Sequence, residues 1–168
     1  MAETFSQHEA VPATYPTEGD DAIWQRIEAY CAQRWTERSV VWIADGPGAW
    51  RPPLSPVSIT STEVWSGGEY EPVTLEPSPL GGLYLPRYGP YSITATVGAD
   101  NPAPAAVLEA FDRLKAYCEA DHGGLPGVSS YSVNTGQISE QFRRNPAFIA
   151  RALEMSGAAD LLRPYRRA

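Results

Sequence analysis

The chain has 168 residues, 43% of them hydrophobic, a length that suits one domain and an apolar content that excludes wholesale disorder. Its net charge of −7 argues against nonspecific nucleic-acid binding by the whole surface. With 16 prolines and 14 glycines the elements are expected to be short and the loops many.

The charge is unevenly placed. Residues 1–30 hold six acids (Glu3, Glu9, Glu18, Asp20, Asp21, Glu28) against the single base Arg26. Residues 141–168 hold six arginines (Arg143, Arg144, Arg151, Arg163, Arg166, Arg167) against Glu154 and Asp160. Such polarity suits head-to-tail contacts between copies or docking on an acidic partner, and equally suits two solvated ends of opposite sign. Residues 1–20 carry no apolar run, so no signal peptide is expected, and no stretch reaches the length of a membrane span.

In chain order, residues 1–18 read as a flexible leader, with Phe5, Val11 and Tyr15 as sparse apolar residues of no period. A first helix is predicted over about 20–35, with Asp20 and Asp21 at its start and Ile23, Trp24, Ile27, Tyr30 and Cys31 on one face. Residues 39–98 change character. Val40-Val41-Trp42-Ile43 is a β-branched and aromatic run, Val57–Trp65 alternates, Ser66-Gly67-Gly68-Glu69 predicts a hairpin turn, and Tyr91–Val97 alternates again. Four or five short antiparallel strands follow from these signals. A second helix is predicted over about 102–120, capped by Asn101 with Pro102 in its first turn, and carrying a stripe of Val107, Ala110, Phe111, Leu114, Tyr117 and Cys118. Residues 122–138 read as a loop, and a short third helix is predicted after Asn145-Pro146, ending at Ser156-Gly157.

The chain ends in Leu161-Leu162-Arg163-Pro164-Tyr165-Arg166-Arg167. Pro164 fixes φ and removes a donor, so an extended, basic, partly apolar arm is expected there. Chain ends fray unless something holds them, and two leucines and a tyrosine are poor residues for a free tail. Together these elements predict an α+β fold. It would be a small helical bundle of about three helices with an inserted antiparallel β region, a single domain over 19–157, and a C-terminal docking arm over 158–168.

Candidate chemistry is sparse. His8 lies in the polar leader, and His122 follows Cys118 by four residues at a helix end without the second ligand pair that a structural zinc wants. Cys31 and Cys118 read as core thiols of a reduced chain, with a disulfide between them as the alternative. There is no Gly-x-Ser-x-Gly, and Gly46-Pro47-Gly48 and Gly81-Gly82 read as turns rather than phosphate cradles. Glu63, Glu69, Glu71 and Glu76 are the carboxylates that a small hydrolase would use. Trp24, Trp35, Trp42, Trp50 and Trp65 are scattered over different elements, where core packing or a carbohydrate-binding groove would account for them. No catalytic residue, metal or cofactor is expected.

The order of elements resembles the head–tail connector (adaptor, or head-completion) proteins of tailed phages and phage-derived gene transfer agents. The resemblance lies in Trp24–Tyr30, Leu54-Ser55-Pro56-Val57-Ser58-Ile59, the passage from Tyr91–Gly98 into Pro104–Ala110, and above all the tail from Gly136 to Arg167. It implies a noncatalytic subunit of a ring, usually of twelve copies, that joins the portal protein at the capsid vertex to stopper, neck or tail components. Genome DNA would pass through the lumen without specific binding, no membrane would be involved, and the particle would assemble in the host cytoplasm. By the same resemblance Leu161, Leu162, Arg163, Pro164, Tyr165, Arg166 and Arg167 would dock on the portal. A neck stopper or tail-completion subunit is the neighbouring reading within that assembly.

Overall fold

A computed structural model describes residues 2–79, 81–120, 130–135, 138–143 and 150–166. The chain divides into two compact units, residues 1–103 with 165–168, and residues 104–164.

The first unit is built from sheets. Strands β1 (Glu3–Glu9), β2 (Arg38–Asp45), β8 (Pro90–Val97), β4 (Val57–Ser66) and β5 (Glu69–Pro72) form a five-stranded antiparallel sheet in the order β1-β2-β8-β4-β5. Strands β3 (Gly48–Trp50), β7 (Leu83–Leu85) and β6 (Glu76–Pro77) form a smaller antiparallel sheet in the order β3-β7-β6. Helix α1 (Asp21–Cys31) lies between β1 and β2 in sequence.

The alternation of β2 and β8 decides where the core sits. Val40, Trp42 and Ala44 on β2 and Tyr91, Ile93, Ala95 and Val97 on β8 are all buried. They cluster with Trp50 and Leu85 of the small sheet and with Leu54 and Val64. Trp42 stands opposite Ile93 in register and meets the Trp50 ring edge-on at 5.5 Å between centroids. Offset and edge-on aromatic contacts of this kind add to the area that the rings remove from water. The β4–β5 hairpin turns on Gly67 and Gly68, at φ +59° and +101°, a left-handed pair that residues with a Cβ rarely adopt. A bulge between Ile59 and Ser61 shifts the register of β4 against β8. Past it, Val64 turns inward and Trp65 outward, at 46% exposure, although the simple period of the sequence puts Trp65 on the side of Val57 and Ile59.

The second unit holds α2 (Ala105–Glu119), the hairpin β9 (Ser130–Thr135) with β10 (Ile138–Arg143), α3 (Ala152–Met155) and α4 (Ala158–Leu162). Val107, Ala110, Phe111 and Leu114 form the buried face of α2. Helices α3 and α4 pack on α2, and Ala152, Ala158 and Leu162 are buried. Gly157, at φ +74°, makes the break between α3 and α4.

The expected helical bundle is corrected by this architecture. About 35% of the chain is strand and the four helices among the described residues are short, so the fold is sheet-dominated rather than a three-helix bundle with a β insertion. The apolar stripes of α1 and α2 are real, but the β-branched and aromatic runs supply most of the core of the first unit. Four local expectations also change. The segment read as a leader contains β1, an edge strand paired along β2. The loop expected over 122–138 contains β9, and β10 begins at its last residue, Ile138. The arm expected to be extended is helix α4 followed by one 3-10 turn, Arg163–Tyr165, with Pro164 inside that turn. Pro164 ends the α-helix but fits the tighter turn after it, because its fixed φ is helical. Asn101 does not cap α2, whose N-cap is Pro104; its side-chain amide donates to the Arg34 carbonyl at 2.8 Å. The third helix expected after Asn145-Pro146 begins outside the described residues.

Candidate functional site

The C-terminal segment is anchored in the chain. Leu162 is fully buried on α4 and Leu161 is half-buried, while Arg163 and Pro164 are exposed. Within the first unit, Tyr165 sets its ring edge-on against Trp35, with centroids 6.4 Å apart, and Trp35 in turn lies 6.3 Å from Trp24. Arg166 is exposed and carries its guanidinium 4.6 Å above the Tyr30 ring, with Nη1 3.5 Å from the Tyr30 hydroxyl. Arg167 lies outside the described residues. Among the described residues of the segment, Leu162 and Tyr165 are thus buried or packed, and Arg163, Pro164 and Arg166 face solvent. Cys31, buried close to this corner, has its thiol pushed up to about 11 by burial, with Arg166 and Arg34 pulling the other way. A thiol in that state is a core group rather than a nucleophile.

A second cluster lies where β1 meets the residues after α1. Glu9 Oε2 accepts from Arg34 Nη2 at 2.8 Å, Glu9 Oε1 accepts from Arg34 Nε, and Arg38 Nη1 donates to Glu9 Oε1 at 3.1 Å. Arg38 Nη2 lies 2.9 and 2.8 Å from the two oxygens of Glu28, and the Trp35 amide donates to Glu28 Oε1 at 3.0 Å. Arg34 Nη1 caps the chain turn by donating to the carbonyls of Glu28 and Gln33 at 2.9 and 3.0 Å. Arg38 also sits over the Tyr15 ring at 5.5 Å. Glu28 is only 2% exposed and both arginines are 8% exposed. A groove of about 330 Å³ opens beside them, lined by Glu9, Val11, Pro12, Tyr15, Arg34 and Arg38 among others.

Burial raises the Glu9 carboxyl, but hydrogen bonds and charge from Arg34, with Arg38 adding to them, outweigh it and hold Glu9 below its ordinary value of 4.5. Burial dominates at Glu28 and leaves it above that value despite the Trp35 amide and Arg38. Arg34 is raised: burial works against its charge, and the hydrogen bonds and charge of Glu9 more than offset it. Two carboxylates facing two guanidinia make a neutral clamp whose polar groups are committed to one another. Strand β1 is tied down further by two indoles: Trp42 Nε1–H donates to Gln7 Oε1 and Trp50 Nε1–H to Thr4 Oγ1, each at 2.8 Å. The sequence hides this cluster because the partners of Glu9 lie 25 and 29 residues away, beyond any local spacing rule.

The sign of the pH dependence follows from Glu9. Its folded value is depressed, so its contribution to stability is present above about 4.5 and is lost as pH falls through the folded value. The difference in urea midpoint between wild type and Glu9→Gln is expected to be clear at neutral pH and to shrink in acid. An equal difference at about pH 7 and about pH 3 would contradict that assignment.

The other residues singled out by the sequence are dispersed. Glu63 is half-buried on β4, and Glu69, Glu71 and Glu76 are exposed on β5 and β6. His8 is exposed on β1 opposite Val41, and His122 lies outside the described residues. Cys31 and Cys118 are not joined in a disulfide, and Cys118 is half-buried. Trp24, Trp35, Trp42 and Trp50 are buried, and Trp65 alone among the tryptophans is exposed, against Tyr70 at 5.0 Å.

No family model, no curated protein and no solved structure matches this chain. Among the described residues, no group of three or more His, Cys, Asp or Glu side chains could hold a metal ion. No helix among them is long and apolar enough to cross a membrane.

Proposed function

We propose that the chain is a structural assembly subunit of a virion, a ring-forming adaptor that joins the portal to downstream neck or tail components and docks through its C-terminal segment. The observation that carries the reading is the division of labour in that segment. Leu162 and Tyr165 hold it onto its own chain, and Arg163, Pro164 and Arg166 stand outside. A binding element ordered before it meets its partner loses less entropy on docking than a free tail would. Arginine is also among the residues that protein interfaces favour, because its planar fork pairs bidentately with carboxylates.

This placement refines the docking assignment made from the sequence. On this reading Leu162 acts as an anchor rather than a contact, and the residues offered to a partner are Arg163, Pro164 and Arg166, with part of Leu161 and Tyr165; Arg167 is assigned to docking by the resemblance alone. The net charge of −7 suits a lumen along which DNA slides without sticking. Electron microscopy of the purified chain, alone and mixed with the portal protein encoded in the same genome, tests the reading. Rings of the chain stacked on the portal are expected; particles that remain single subunits in both samples would overturn it.

A further inference from the structure

We infer that Arg166, backed by the ring of Tyr30, is a receptor for a carboxylate, so that the protein surface docking on this end of the chain presents an aspartate or glutamate to it. The inference rests on the docking reading and supplies the partner's chemistry. The guanidinium lies 4.6 Å above the Tyr30 ring, and Nη1 reaches the phenol oxygen at 3.5 Å. Stacking of this kind occupies a face of the planar cation and leaves its N–H edge available for two parallel bonds to one carboxylate.

The edge is available here. Arg34 and Arg38 are committed to Glu9 and Glu28, and Arg113 to Glu109, whereas no carboxylate among the described residues pairs with Arg166. Its position is also set in advance. The preceding residue, Tyr165, is fixed edge-on against Trp35. On a molecule of net charge −7, Arg166 is an exposed positive charge with an aromatic floor.

The test uses the full chain, a decapeptide of glutamate and a decapeptide of glutamine. The glutamate peptide is expected to shift the Arg166 Nε–H and Tyr30 ring resonances, and Arg166→Gln to weaken its binding by about tenfold or more. Arg166→Lys, which keeps the charge and loses the fork, should fall between them. Arg166 is exposed, so these variants keep the fold. The inference is overturned if those resonances do not move, if Arg166→Gln binds as wild type does, or if the glutamine peptide is equivalent. It is overturned too if an oligothymidylate shifts the same resonances more strongly than the glutamate peptide. A portal that binds wild type and Arg166→Gln equally would also overturn it and leave the docking reading standing. A glutamate-peptide response without any portal binding would sink the docking reading and leave the carboxylate receptor in place.

Discussion

Glu28→Ala is expected to destabilise the first unit by about 3–5 kcal/mol, the range for removing one partner from a buried ion pair. Glu28 is 2% exposed and accepts from the Trp35 amide and from Arg38. Its removal leaves a buried amide without an acceptor and Arg38 with Glu9 as its one carboxylate. In a unit of this size such a loss lowers the melting temperature by more than about 10 °C. Glu28→Gln should lose less, because the amide oxygen still receives the Trp35 N–H. The double variant Glu28→Met with Arg38→Met should be milder than the sum of its parts, since replacing both charges avoids an unpaired one. Thermal and urea unfolding of wild type, Glu28→Ala, Glu28→Gln, Glu28→Met, Arg38→Met and the double variant checks this. Additive losses would mean that the two side chains do not act as a pair.

Trp42→Ala is expected to cost about 3–5 kcal/mol as well, by a different mechanism. The indole is fully buried between Trp50 and the β8 face, and its removal leaves a cavity at the junction of the two sheets. It also removes the donor to Gln7 that ties β1 to the body. Trp42→Phe keeps much of the volume and loses the donor. Both variants should therefore speed amide exchange along β1, while only Trp42→Ala should lose most of the stability. Exchange in β1 that is unchanged in both would show that the backbone ladder with β2 holds the strand without help.

What could be read from the sequence follows from the range of each signal. The Gly67-Gly68 hairpin, the alternation of β8 and the stripe on α2 are local patterns, and the structure holds all three. β1 is polar along most of its length, and its stabilising partners, Trp42, Trp50, Arg34 and Arg38, come from far along the chain, so no period marks it. The bulge at Ile59 and Ser61 is a one-residue event that reverses the sides of β4 without a compositional trace. Helical stripes are conspicuous in a sequence and short strands are not, so local pattern points to a bundle where sheets dominate. At the chain end, Pro164 points to an extended arm after Gly157, whereas Ala158–Leu162 is helical and Pro164 sits inside the 3-10 turn that follows, because its fixed φ also suits that turn.

The placement of Leu162 also decides how the docking segment should be tested. Deleting residues 158–168 would remove Ala158 and Leu162, both fully buried, and would damage the fold along with the contact. Charge reversal at the exposed arginines leaves the anchors in place. Sedimentation velocity of the portal ring mixed with wild type or with Arg163→Glu/Arg166→Glu is therefore the most direct measurement. Wild type should co-sediment with the portal while the equally folded double variant stays behind. Co-sedimentation of both, or of neither, would contradict docking through this segment.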